Sequence, residues 1–119
     1  MPTTPIVEPA SDLASRRVAL AVLDAVLRRA QPMEETLARH PGFAALEGRD
    51  RAFARLLLTT VLRRLGEIDA AISARLTHAL HAGGAMDTLR LGAAQLLFLE
   101  TPAHAAVDTS VRLVDAPST

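Results

Sequence analysis

The stretch Leu89-Arg90-Leu91-Gly92-Ala93-Ala94-Gln95-Leu96-Leu97-Phe98-Leu99 is followed by Glu100-Thr101-Pro102-Ala103-His104-Ala105-Ala106-Val107. The first run is apolar on almost every side, and a helix of that kind has to be surrounded by other helices. It is shorter than the roughly 20 apolar residues needed to cross a bilayer. Gly92, Ala93 and Ala94 lie in mid-run. Glycine costs a helix about 1 kcal/mol relative to alanine, so its presence implies a packing reason, the close approach of a neighbouring helix. Pro102 disfavours helical geometry at Thr101 and ends the run. A second helix is expected from Ala103 or His104, carrying Ala106, Val107, Ser110, Val111 and Val114 on one face. This hairpin is the expected hub of an all-α domain.

Outward from the hub, the rest of the chain also reads as helix. Residues 1–10 contain three prolines and no arginine, which describes a flexible leader rather than a signal or transit peptide. Ser11 or Asp12 caps a helix reaching about Gln31, with Val18, Ala19, Val22, Leu23, Val26, Leu27 and Ala30 at helical spacing. Pro32 ends it. A short helix is expected over 33–40, closed by Pro41-Gly42, and 43–47 admits one further turn. Asp50 caps a long helix from Arg51 to about Leu65, stopped by Gly66. Phe53, Leu57, Thr60, Val61 and Arg64 share one side of it. Residues 68–80 follow as a helix with Ile72, Leu76 and Leu80 as its stripe. His81-Ala82-Gly83-Gly84-Ala85 reads as a loop, and Asp87 or Thr88 opens the hub helix. The domain therefore spans 11–116, with about five main helices and a short one.

Composition supports this picture and removes several function classes. The chain has 119 residues, which suits one domain, and half of them are hydrophobic. With three Phe and neither Trp nor Tyr, the core has to be Leu, Val and Ala. The absence of cysteine excludes disulfides, thiolate metal sites and a Cys nucleophile. The net charge is zero, which counts against a purely electrostatic nucleic-acid binder. All the cationic residues are Arg, the better residue for forked phosphate contacts, although a GC-rich genome produces the same bias.

The candidate chemistry is confined to these arginines. Arg51, Arg55, Thr59 and Arg63 follow at steps of four and form a ridge on one side of their helix. Such a ridge suits phosphates, which give affinity and position without reading sequence. It equally describes an ordinary solvated face. Arg16, Arg17, Arg28 and Arg29 lie on the first helix, where Asp24 between Arg17 and Arg28 makes an internal ion pair at least as good a reading as ligand contact. Arg90 sits among apolar residues and requires a carboxylate partner. His78 and His81 are three apart, but a metal site needs further ligands, and no metal or other cofactor is expected. His104 reads as a structural hydrogen-bonding group. Asp108 and Asp115 form no acid–base pair. Neither a phosphate-binding glycine loop nor a nucleophile elbow is present.

Two stretches resemble a known family. The helix Asp50-Arg51-Ala52-Phe53-Ala54-Arg55-Leu56-Leu57-Leu58-Thr59-Thr60-Val61-Leu62-Arg63-Arg64-Leu65-Gly66-Glu67-Ile68-Asp69 and the hub hairpin, with Pro102-Ala103-His104-Ala105-Ala106-Val107 and Val111, resemble NusB-like domains. The closest likeness is to the N-terminal domain of the RsmB (Sun/Fmu) 16S rRNA cytosine-5 methyltransferases. Arg17-Val18-Ala19-Leu20-Ala21-Val22-Leu23 fits the opening helix of the same domains. The resemblance implies a cytoplasmic, all-α RNA-binding module without catalysis of its own. Such a module positions rRNA for a methyltransferase or acts in transcription antitermination. Arg16, Arg17, Arg51, Arg55 and Arg63 are then the expected RNA contacts. The leader lacks the basic residues of free-standing antiterminators. The family's final helix and the methyltransferase domain are not read in this sequence. That omission implies an open apolar groove, filled by the leader, a second copy or another protein. A protein-interaction or dimerisation domain in ribosome assembly or transcription is therefore the alternative reading.

Overall fold

In the computed structural model the described residues, 9–74 and 83–99, form six helices and no strand. Side chains are described over 13–74 and 85–99. Five of the helices have seven residues or more, in keeping with the all-α expectation. The chain divides into two units, 1–55 and 56–119. One helix, α4 (Gly48–Arg63), carries the backbone from the first into the second.

The first unit contains α1 (Pro9–Arg29), α2 (Met33–Arg39), α3 (Pro41–Ala44) and the start of α4. Helix α1 already includes Pro9, so neither Ser11 nor Asp12 is its cap. Val18, Ala19, Val22 and Leu23 are buried as their spacing predicts, and Leu13 and Ala25 join them. Leu37 of α2 and Phe43 of α3 are buried in the same unit, where α1 packs on both short helices. Each such side chain contributes about 1.5–3 kcal/mol through burial.

Two boundaries in this unit differ from the sequence expectation. Pro41 does not close α2 but opens α3 as its first residue, where its fixed φ is already helical. His40 forms the cap, its Nδ1 accepting from the Gly42 N–H at 2.9 Å. A Cβ on Gly42 would come within 2.9 Å of that imidazole and 3.1 Å of Val18, so the position demands glycine. Likewise α4 starts at Gly48, with the Arg51 N–H donating to Glu47 O at 2.8 Å. Asp50 is not the cap. It lies in the first turn, where a carboxylate favours the helix dipole.

Ala30 ends α1 at φ 55°, the only positive φ at a non-glycine residue among the described residues. The Gln31 N–H returns to Ala25 O at 3.2 Å and closes the helix end. Left-handed geometry costs an L-residue roughly 1–2 kcal/mol that glycine avoids, offset in part by glycine's greater unfolded-state entropy. Ala30→Gly is therefore expected to stabilise the protein by about 0.5–1 kcal/mol, read as a higher denaturant midpoint at unchanged slope.

The second unit contains the rest of α4, then α5 (Leu65–Ser73) and α6 (Gly83–Leu97), which pack together. Gly66 is not the stop between α4 and α5. The break falls at Arg64, with φ −111° and ψ 22°, a conformation that needs no glycine. Gly66 is already helical, inside α5. The hydrogen bonds Arg64 N–H to Thr60 O and Ile68 N–H to Arg64 O, both 2.9 Å, carry the pattern across the break. Ile68 and Ile72 are buried, while Leu76 and Leu80 lie outside the described residues.

Helix α6 starts at Gly83, so Asp87 and Thr88 are buried within it rather than opening it. Leu91, Gly92, Ala94 and Gln95 are buried. Leu96 and Leu97 are 45% and 55% exposed, so the run is not enclosed on every side as its composition suggested. The second half of the hairpin, the tail, the leader up to residue 8, and His78, His81, His104, Asp108 and Asp115 lie outside the described residues. Among the described residues no helix is long and apolar enough to cross a membrane.

Candidate nucleic-acid interface

Helix α1 presents its arginines in opposite directions. Arg16 is only 6% exposed, with its guanidinium 4.8 Å from the centre of the Phe53 ring. It follows Leu13 and precedes Ala19 at intervals of three, which places it in the buried stripe and not on the solvent face expected of it. That spacing was the available signal. Arg17, one residue on, is exposed. Arg28 Nε donates to Asp24 Oδ1 at 2.6 Å, so of the two arginines flanking Asp24 it is Arg28 that takes the ion pair.

The α4 ridge also divides. Arg51 is half-buried and its Nη1 donates to Leu46 O, so its charge is turned to its own backbone. Arg55 is exposed. Its Nε donates to Glu34 Oε1 and Oε2 at 3.2 and 3.1 Å, and its guanidinium lies 5.4 Å from the centre of the Phe43 ring. Arg63, in the second unit, is exposed with no ion pair among the described residues.

Of the five expected contacts, Arg17 and Arg63 are thus the two that are both exposed and without an ion pair among the described residues. Arg29, considered on the first helix but not counted among those five, shares that condition, as do Arg39 and Arg49, which were not anticipated. Arg29 and Arg39 end α1 and α2, where a cation favours the helix dipole. That end-of-helix position was the signal for both.

Arg90 has the partner its surroundings require. Its Nε and Nη2 fork onto Asp69 Oδ1 and Oδ2 at 2.8 and 2.9 Å, and Nη1 donates to Asp87 Oδ1 at 2.8 Å. This charge joins α5 to α6 and is 14% exposed, so its role is structural. No group of His, Asp or Glu residues suited to a metal ion occurs among the described residues.

No curated protein and no solved structure matches the chain. Comparison with protein families matches residues 13–118, from the first buried leucine of α1 almost to the last residue of the chain. With the helical order above and a match over most of its length, this chain belongs to the NusB family.

Proposed function

We propose that this chain is an RNA-binding module of the NusB type, acting on ribosomal RNA in the cytoplasm. It would position that RNA for a cytosine-5 methyltransferase or serve in transcription antitermination. The family match over 13–118 carries the reading, since the NusB domain is a non-catalytic RNA-binding fold. Exposed arginines with no ion pair among the described residues supply the chemistry, because each guanidinium offers five N–H donors in a fork matching phosphate. The net charge of zero limits how many phosphates are neutralised at once.

The test is fluorescence anisotropy with a small-subunit rRNA hairpin and a scrambled control. Two phosphate contacts predict a loss of about tenfold in affinity between roughly 50 and 200 mM salt. Salt-independent binding, or none, would remove this reading.

A second reading has its own observation. Leu56, Leu96 and Leu97, all in the second unit, are the large hydrophobic side chains left 50%, 45% and 55% exposed among the described residues. A protein or second copy at these leucines would appear by light scattering as an increased mass that Leu97→Glu abolishes.

A further inference from the structure

The Glu34–Arg55 pair sits at a residue expected to contact phosphate, and its geometry suggests more than a surface ion pair. Among the described residues only the Nε of Arg55 is hydrogen-bonded, to both oxygens of Glu34, and the four N–H groups on Nη1 and Nη2 have no partner there. Phe43 lies beneath the guanidinium at 5.4 Å. The side chains of Arg55 and Glu34 remain 46% and 61% exposed. The guanidinium is therefore held in a fixed place with its outer fork open, and a carboxylate stands beside it. Any phosphate accepted by that fork meets the negative charge of Glu34 a few ångströms away.

We infer that Glu34 is an intramolecular counter-charge that lowers RNA affinity at Arg55, so that α2 sets how strongly α4 holds a phosphate. This rests on the RNA-binding reading above. The two roles of Glu34 separate chemically. Its oxygens position Arg55, and its charge opposes the phosphate. Glu34→Gln keeps a carbonyl acceptor for Nε and removes the charge. Glu35 provides the control, since it is exposed on the same turn of α2 and makes no ion pair among the described residues.

RNA-hairpin anisotropy on the full chain and its variants tests this at low and moderate salt. Glu34→Gln is expected to bind about threefold to fivefold more tightly at low salt, as removal of a like charge near 6 Å from phosphate in a solvated setting implies. The gain fades as salt screens the charge. Glu35→Gln is expected to change affinity less than twofold. In an Arg55→Gln background, Glu34→Gln is expected to lose most of its effect.

Equal gains from Glu34→Gln and Glu35→Gln would reduce the effect to bulk charge and overturn the inference. So would a gain that persists without Arg55, or no gain while the wild-type chain binds RNA in a salt-dependent way. In each of those cases the RNA-binding reading survives. If folded wild type and every variant fail to bind, that reading falls and the inference falls with it.

Discussion

Arg90→Ala is expected to destabilise the protein by about 3–5 kcal/mol, a large part of the 5–15 kcal/mol typical of a domain. The substitution removes a guanidinium that makes three hydrogen bonds to two carboxylates. Asp87 is the costlier one to leave behind, because its side chain is 1% exposed while that of Asp69 is 32% exposed. Water can solvate Asp69 in the variant far more readily than Asp87. Asp87→Ala, which leaves the fork onto Asp69, and Asp69→Ala, which leaves the bond to Asp87, are each expected to cost less than Arg90→Ala, and Arg90→Lys to restore only part of the loss, since an ammonium cannot fork onto Asp69. Urea unfolding followed by circular dichroism measures all four variants. A loss below 1 kcal/mol for Arg90→Ala would place the triad among ordinary surface pairs.

The Arg90 triad also shows how far the sequence could be read. An arginine in an apolar run requires a carboxylate, and that much was local. Which carboxylate it takes depends on how α5 and α6 pack, and Asp69 lies 21 residues away in sequence. The same limit applies to Arg55, whose partner Glu34 is equally distant. The buried face of the first half of α1, Val18, Ala19, Val22 and Leu23, was legible because helical spacing fixes it without knowledge of the neighbour, whereas Val26 and Leu27 are only half-buried and Ala30 is exposed.

The misplaced boundaries share one cause, the reading of a residue by its commonest role. Asp87 has the composition of an N-cap, but its carboxylate is taken by Arg90 and the helix begins upstream at Gly83. Gly66 has the composition of a stop, but the break at Arg64 needs no left-handed residue. Pro41 serves equally to end one helix or begin the next, and the His40 ring cap decides for the beginning. Arg16 is the reverse case, since its charge suggested solvent while its register placed it inside.

The same difference between register and charge bears on the proposed RNA binding. Arg17→Glu with Arg63→Glu is expected to weaken hairpin binding at low salt by at least tenfold. If each arginine neutralises one phosphate, the plot of log affinity against log salt should flatten by about 1.4–1.8, the share of two contacts. Stability should stay within about 0.5 kcal/mol of wild type, because both side chains are exposed and neither has an ion pair to lose among the described residues. Arg51→Glu is the contrasting variant. It forfeits the hydrogen bond to Leu46 O, so any loss of binding there comes with a loss of stability. Arg16→Glu goes further, placing a carboxylate in a site that is 6% exposed beside an aromatic face. Binding lost at constant stability in the Arg17/Arg63 variant, and lost with stability at Arg16 and Arg51, would separate arginines that meet phosphate from arginines that hold the fold. Unchanged affinity in the Arg17/Arg63 variant would move the interface to the other exposed cations, of which Arg29, Arg39 and Arg49 are next to be reversed.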